Sequence, residues 1–279
     1  MSSYDLVGES LKNDLVSKIN KFSTNGNVLF IDSGIYESTW KKDENWTEKG
    51  LDTYRKTLSS INYDFYSSFD IFPKPDEEYS RFLERTIKAI RESQLQKVVG
   101  ELIPIVHGRT PQELLQVVKK VIKAFDFELR FLAVPERETG DHLIERAENL
   151  SKIRKFLDQQ DHDTILHLLG CGDPVSLSLF IFFGVDSFDS LDWLRFALDP
   201  MELRMRHFSH LVLINCSCQY CSSEHYSTFF KVLLHNLHFY SGFLEDIRRR
   251  IIDDEMADFI KDQFPDVYSK LRMYSKLRI

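Results

Sequence analysis

The sequence predicts an α/β fold in which parallel strands alternate with helices. Three observations support this prediction: short β-rich runs alternate with longer segments of helical periodicity, hydrophobic residues make up 43% of the 279 residues, and the chain contains only 8 prolines and 11 glycines. This composition supplies a sizeable core and excludes fibrous and disordered chains. At this length we expect either one large α/β barrel or two smaller domains.

Seven short runs are the strand candidates. They lie at residues 27–32, 64–70, 101–106, 128–134, 163–169, 184–189 and 210–214. Helical spacing covers residues 49–60, 75–92, 110–125, 142–157, 174–183 and 225–250. The helix that follows Thr110 has the clearest start, because Thr110 suits an N-cap, Pro111 suits the first turn and Glu113 adds negative charge there. Strands that alternate with helices pair in parallel, and an eighth strand would close a barrel.

The chain carries no apolar run near the roughly 18 residues that a membrane helix needs, and its first residues are polar, so we expect a cytoplasmic protein without membrane contact. The net charge of −7 argues against nucleic-acid binding through bulk charge alone. A local basic patch is compatible with that charge, although a solvated helix face explains the same pattern. Its residues are Arg248, Arg249, Arg250, Lys270, Arg272, Lys276 and Arg278.

Polar side chains stand at the ends of the strand candidates. Asp32, Asp70 and Asp189 each end a different strand candidate, and His107 directly follows another. In a parallel barrel these ends converge on one face, where active sites lie. A single Asp at such a position commonly caps a turn or helix, but three on separate strands together with a histidine favour a functional site.

Three of the four cysteines form a Cys-x-Cys-x-x-Cys cluster, and a helical segment with a histidine follows it. The candidate metal ligands are Cys216, Cys218, Cys221 and His235. Three thiolates and one imidazole complete a tetrahedral zinc site, and intracellular thiols stay reduced. His225 and His238 are alternative fourth ligands. Because a complete shell leaves no open coordination position, we expect a structural Zn²⁺ and chemistry elsewhere.

Taken in order, these motifs resemble the tRNA-guanine transglycosylase family, zinc-containing barrel enzymes that exchange a guanine in a nucleic acid for a 7-deazaguanine. Phe-Ile-Asp-Ser-Gly at residues 30–34 resembles the family's Asp-Ser-Gly-Gly loop, and Ser-Ser-Phe-Asp at 67–70 resembles its base-binding strand end. Val-His-Gly at 106–108 stands where the family has Val-Gln-Gly. Residues 167–190 resemble the signature that ends in Phe-Asp-Ser, and the cysteine cluster with His-Asn-Leu completes the series.

The resemblance implies a (βα)8 TIM-type barrel at residues 1–214, which carries the active site, and a zinc-binding segment with C-terminal helices at residues 215–279. It implies that Asp189 is the nucleophile and Asp32 the general acid and base. The implied substrate-binding residues are Ser33, Gly34, Asp70, His107, Gly170 and Gly172. Dimerisation near the zinc segment, common in the family, implies a homodimer.

Exchange of a base at C1′ without loss of the strand is a double displacement, which needs a carboxylate nucleophile and a proton carrier. Asp70 would accept from N1 and the 2-amino group of guanine, donors that adenine lacks on that edge. The target base must leave its stack to reach the site. The aromatic residues that could stack on it are Tyr36, Trp40, Trp46 and Phe72.

Three departures from the family favour its DNA-modifying branch, the deoxypurine in DNA protein A transglycosylases. Residues 190–195 replace a Pro-Thr-Arg segment that contacts the anticodon loop, residues 130–136 lack the glycines of the base-pocket strand, and the span from Cys221 to His235 is short. We therefore expect DNA as the substrate and a 7-deazaguanine such as preQ0 as the incoming base.

Three alternatives stay open. The first is a tRNA-guanine transglycosylase of the queuine or archaeosine type. The second is a catalytically silent subunit that binds nucleic acid, which the presence of both Asp32 and Asp189 disfavours. The third is an unrelated barrel hydrolase acting on a small sugar, which would need neither the zinc cluster nor the basic residues.

Overall fold

A computed structural model of the chain describes residues 1–8, 13–94, 100–125, 129–160 and 163–274. These residues form two compact units. The first consists of Met1–Val134 with Phe156–Ile165, and the second of Pro135–Lys155 with the chain from Leu166 onward. The predicted boundary between a barrel and a zinc segment at residue 214 stays a prediction.

The helices and strands alternate along most of the chain. Up to residue 135 they are α1 (Ser3–Gly8), α2 (Asn13–Thr24), β1 (Phe30–Ile31), α3 (Ile35–Trp40), α4 (Glu44–Leu58), β2 (Phe65–Ser67), α5 (Tyr79–Gln94), β3 (Glu101–Ile103), α6 (Pro111–Ala124) and β4 (Phe131–Pro135). The later elements are α7 (Leu143–Leu157), β5 (Ile165–Leu169), α8 (Pro174–Phe182), β6 (Ser187–Phe188), α9 (Asp192–Arg195), β7 (Phe196–Asp199), β8 (Arg204–His207), α10 (Thr228–Ile252), α11 (Met256–Gln263) and α12 (Pro265–Tyr274).

In the first unit, β1, β2 and β3 form a parallel sheet in that order, with Phe30 opposite Phe65 and Tyr66 opposite Leu102. Helix α4 packs a stripe of buried residues at four-residue spacing, including Tyr54, into the core beside this sheet. These elements place the ends of the strands, and the residues that follow them, against a hydrophobic core.

The predicted start of α6 is confirmed. Thr110 is the N-cap and its hydroxyl accepts from the backbone N–H of Glu113 at 3.2 Å, while Pro111 occupies the first turn. The helix buries Leu114 and four further aliphatic residues on one face. Capping and amphipathic periodicity therefore agree with the observed helix, which begins four residues after His107.

In the second unit, β5 and β6 pair in parallel, with His167 opposite Ser187. The strand predicted at residues 210–214 is wrong, because residues Phe208–Leu213 form a 3-10 helix. Val212 and Leu213 are 83% and 72% exposed, so this apolar run has no sheet to enter. The antiparallel hairpin β7–β8 lies just before it, and its second strand was missed because Arg-Met-Arg-His shows no apolar alternation.

The predicted α/β class is confirmed, but the predicted closed barrel is not seen. Within the described ranges, the parallel strands form two three-stranded sheets and no closed barrel. These parallel strands are only two to five residues long, so each ladder contains few pairs. None of the described helices is both long enough and apolar enough to cross a membrane.

The close packing of Gly108 on α6 yields a stability prediction. A Cβ at Gly108 would lie 2.4 Å from the backbone N of Leu114, so Gly108→Ala must displace the helix start and should destabilise the fold by about 1–3 kcal/mol. Gly242, within α10, has open space around it, so the control Gly242→Ala should stabilise by about 0.5–1 kcal/mol. Urea denaturation measures both, and equal effects of the two changes would contradict the packing argument.

Candidate active site and metal centre

The first unit brings three predicted site residues into one buried hydrogen-bonded group. The hydroxyl of Ser33 donates to Oδ1 of Asp70, and Nε2 of His107 lies 3.2 Å from Oδ2 of the same carboxyl. All three side chains are buried, and the ring of Phe72 packs on that of His107 with 4.3 Å between centroids. Each oxygen of Asp70 thus has a partner within the protein, which fixes the orientation of the carboxyl.

Buried hydroxyl groups hold the strand ends that carry this group. The hydroxyl of Ser67 accepts from the backbone N–H of Ser33 at 2.8 Å, and the hydroxyl of Tyr54 donates to the Ser67 carbonyl at 2.8 Å. The hydroxyl of Ser68 accepts from the N–H of Ile105 at 2.9 Å. Because buried backbone groups must be paired, these serines and the tyrosine replace ladder hydrogen bonds where the short strands end.

Asp32 lies at the end of β1, in a turn that requires glycine. The N–H of Gly34 donates to Oδ2 of Asp32 at 2.8 Å. Gly34 has φ of 79°, and a Cβ there would lie 2.4 Å from Cβ of Tyr4. Burial raises the pKa of Asp32 to about 7, and the carboxylates of Asp70 and Glu37 add to the rise. Asp32 is therefore poised to hold or release a proton near neutral pH.

Asp189, in the second unit, has the opposite electrostatic setting. Its side chain is 52% exposed, the N–H of Gly170 donates to its Oδ1 at 3.0 Å, and Nε2 of His167 lies 3.8 Å from the same oxygen. Burial alone would raise the pKa of Asp189, but the nearby imidazole of His167 and the hydrogen bond from the Gly170 amide outweigh it and lower that pKa. The result is an accessible, ionised carboxylate.

The turn from Gly170 to Asp173 supports this carboxylate. Gly170 has φ of 82°, and a Cβ at Gly172 would lie 2.6 Å from the hydroxyl oxygen of Ser190. Asp173 is the N-cap of α8 and accepts from the N–H of Ser176 at 2.9 Å. Both predicted glycines are therefore needed by the backbone, whereas Asp173 has the ordinary capping role of a strand-final aspartate.

The four predicted metal ligands converge. The side-chain donor atoms of Cys216, Cys218, Cys221 and His235 all lie within 4.8 Å of one another. The distances from Nδ1 of His235 to the three sulfur atoms are 3.4, 3.6 and 3.3 Å. A tetrahedral zinc ion, with bonds of about 2.3 Å to sulfur and 2.0 Å to nitrogen, would separate S and N by about 3.5 Å. The donor set and its spacing therefore fit Zn²⁺.

A backbone carbonyl orients the histidine. Nε2 of His235 lies 2.8 Å from the carbonyl of Leu198, so this nitrogen carries the proton and Nδ1 presents its lone pair to the sulfurs. The two alternative ligands are excluded from the group: His225 is exposed, and the ring of His238 packs near Tyr220 at 5.9 Å between centroids. The structure therefore selects His235 among the three histidines considered.

The aromatic residues predicted to stack on a base differ in their exposure. Trp46 is buried beside Tyr4 and is not available to stack on a base, whereas Tyr36 and Trp40 are 43% and 73% exposed. The ring of Phe72 already packs against the ring of His107.

The basic patch is largely neutralised within α10. Arg249 and Arg250 both bind the carboxylate of Asp246, and Arg248 lies 3.7 Å from Glu245. These pairs weaken its case as a phosphate surface. Lys276 and Arg278, which belong to the same predicted patch, lie outside the described residues.

Sequence reasoning gave no role to His167, Tyr54 or Asn236. His167 interrupts the apolar strand β5, and a lone histidine in such a run is a signal that the sequence does contain. Tyr54 carries no comparable signal, because a tyrosine at helical spacing is an ordinary core residue. Asn236 is fully buried and its amide bonds three backbone groups around β7, which only the fold reveals.

Comparison with known proteins supports one family. The family model described as queuine tRNA-ribosyltransferase matches residues 50–269. A queuine tRNA-ribosyltransferase of Lactococcus lactis subsp. cremoris is 25% identical over 228 residues, which cover 71% of this chain and 56% of the relative.

Two archaeal relatives, both named tRNA-guanine(15) transglycosylase, are similar as well. That of Haloferax volcanii is 30% identical over 113 residues, 36% of this chain and 22% of the relative. That of Thermococcus onnurineus is 24% identical over 209 residues, 70% of this chain and 34% of the relative. The matches thus span from about a fifth to little more than half of the relatives' length. Since the family model covers residues 50–269, most of the chain, the protein belongs to the queuine tRNA-ribosyltransferase (tRNA-guanine transglycosylase) family.

Proposed function

We propose that this protein exchanges a guanine in tRNA for a 7-deazaguanine base, by double displacement through a covalent bond to Asp189. The observation that carries the proposal is the pair of carboxyl groups with opposite settings: the pKa of Asp189 is lowered and that of Asp32 is raised to about 7. Two carboxyl groups whose pKa values are shifted in opposite directions suit a nucleophile and a proton carrier. A protein that only bound nucleic acid would not need either of these pKa shifts.

In the proposed reaction, a carboxylate oxygen of Asp189 attacks C1′ and the bond from C1′ to N9 of guanine breaks. Asp32, protonated near neutral pH, gives its proton to the leaving guanine. The incoming base then returns a proton to Asp32, and its N9 attacks C1′ and displaces Asp189. Two displacements on the same sugar retain the configuration.

Asp70 is the proposed base-reading residue. Ser33 and His107 fix its carboxyl, and a carboxylate oxygen has lone pairs for more than one donor. N1–H and the 2-amino group of guanine or a 7-deazaguanine would supply such donors, and adenine would not. His107 stands where the family has Gln, and we propose that it orients Asp70 and also contacts the base.

The comparisons support tRNA rather than DNA as the substrate. All the relatives named above act on tRNA by their names, and none of these matches supports the DNA preference expected from residues 190–195, residues 130–136 and the short span from Cys221 to His235. A 7-deazaguanine such as preQ0 stays our proposal for the incoming base.

Guanine exchange tests the proposal without knowledge of the incoming base. Purified protein, radiolabelled guanine and tRNA transcripts should give labelled tRNA, while single- and double-stranded DNA should stay unlabelled. Asp189→Asn should lower exchange on the order of 10⁴-fold, because the nucleophile is lost. The matched control is Asp173→Asn, since Asn also caps helices and should keep the activity. Label that entered DNA alone would restore the DNA interpretation, and no label in any strand would overturn the proposal.

The raised pKa of Asp32 predicts a pH dependence of stability. The folded state holds this proton up to about pH 7, whereas an unfolded Asp releases it near pH 4, so the wild type loses stability as pH rises through that window. Asp32→Asn removes the ionisable group and should therefore raise the melting temperature more at pH 8 than at pH 4. Thermal melts at both pH values measure this. An equal effect at the two values would contradict the proton assignment of Asp32.

We also propose that Cys216, Cys218, Cys221 and His235 hold a structural Zn²⁺, which would tie the segment after β8 to α10. Metal analysis of the purified protein should find one zinc per chain. Cys218→Ser should lower zinc content and melting temperature together, because a structural metal contributes folding free energy. Cys171 lies outside the cluster, so Cys171→Ser is the control that should retain zinc. A zinc-free protein of unchanged stability would refute this assignment.

A further inference from the structure

The hydroxyl of Tyr240, on α10, donates to the backbone carbonyl of Gly172 at 2.5 Å. Gly172 belongs to the turn whose first amide, that of Gly170, binds the carboxylate of Asp189. We infer that Tyr240 is a positioning residue that holds this turn and thereby fixes Asp189 for attack. The inference rests on the proposed function for the identity of the nucleophile, and on the contacts within the second unit for the rest.

The turn from Gly170 to Asp173 contacts the segment that carries Asp189 at two points. The Gly170 amide binds Asp189, and the backbone of Gly172 packs on Ser190 so closely that a Cβ would lie 2.6 Å from its hydroxyl oxygen. Movement of the Gly172 peptide would therefore disturb both contacts. Asp173 anchors the far end of the turn to α8. Tyr240 provides a separate anchor for the turn, from a helix position 68 residues further along the chain.

Helix α10 is itself held in place close to Tyr240. Asn236, one turn earlier, is fully buried; it accepts from the N–H of Leu198 at 3.0 Å and donates to the carbonyls of Trp193 and Phe196 at 2.7 Å each. His235 binds the Leu198 carbonyl and belongs to the candidate metal cluster. The phenol thus projects from a backbone that cannot shift without the loss of several buried hydrogen bonds.

The surroundings of Tyr240 keep its hydrogen bond to Gly172 intact over a wide pH range. Burial raises the pKa of Tyr240, and Asp173, Asp192 and the Cys171 thiol add to the rise, so the hydroxyl stays a donor. Nε2 of His167 faces Asp189 at 3.8 Å and lowers the pKa of that carboxyl. A phenol that remains neutral is suited to anchoring a peptide and not to proton transfer.

The test uses the full chain with Tyr240→Phe, which keeps the ring and removes the hydroxyl. If Tyr240 positions the nucleophile, kcat for guanine exchange should fall about tenfold while KM for tRNA changes less than twofold, since misplacement acts on the chemical step. Tyr226→Phe is the control on an exposed tyrosine before the same helix and should leave both parameters unchanged. An unchanged kcat in a folded Tyr240→Phe protein would overturn the inference.

A second readout does not depend on activity. The ¹³C carboxyl resonance of Asp189, assigned by its loss in Asp189→Asn, should titrate at higher pH in Tyr240→Phe because the Gly170 amide is less well placed to stabilise the anion. Gly172→Ala displaces the turn from the Ser190 side and should produce the same shift. An identical titration in both variants and the wild type would refute the positioning role, even if the wild type exchanged no base. Absence of exchange together with a shifted titration would refute the proposed function alone.

Discussion

The unequal solvation of two carboxyl groups is the constraint on which the proposed chemistry depends. Asp32 sits in a buried turn near other acidic groups, where the charged form is disfavoured and its pKa rises to about 7. Asp189 is exposed and is stabilised by an amide and a histidine, so it stays charged. In the proposed mechanism, the same residue type therefore serves as the acid at position 32 and as the nucleophile at position 189. Neither role follows from the side chain alone; each follows from what surrounds it.

Short strands explain how these surroundings are built. Because β1, β2, β3 and β6 contain only two or three residues, few ladder bonds reach the strand ends, and side chains from other elements complete the pairing. In the first unit this is done by Ser67, Ser68 and Tyr54. In the second unit, Asn236 binds backbone groups around β7, and Tyr240 binds the carbonyl of Gly172 in the turn after β5. The backbone around the proposed site residues is thus held by buried and partly buried polar side chains to which we assign no part in the chemistry.

Much of this was predictable from sequence, and the reasons for the failures are specific. Helix α6, the alternation of strands and helices, and the cysteine cluster follow from capping, periodicity and ligand chemistry, which are local. The hairpin β7–β8 was missed because it is stabilised by contacts from α10 and not by its own pattern. Trp46 looked like a stacking residue because aromaticity says nothing of burial. The low pKa of Asp189 depends on His167, which lies 22 residues earlier in the chain. Only the fold shows that the two side chains are close.

Direct capture of the covalent intermediate tests the central claim most closely. The protein would be incubated with tRNA without added base, denatured rapidly, treated with nuclease and protease, and analysed by mass spectrometry. The account predicts a ribonucleotide bound to the peptide that contains Asp189, and loss of that adduct when guanine is added before denaturation. An adduct on the peptide that contains Asp32, or base exchange in the absence of any adduct, would contradict it.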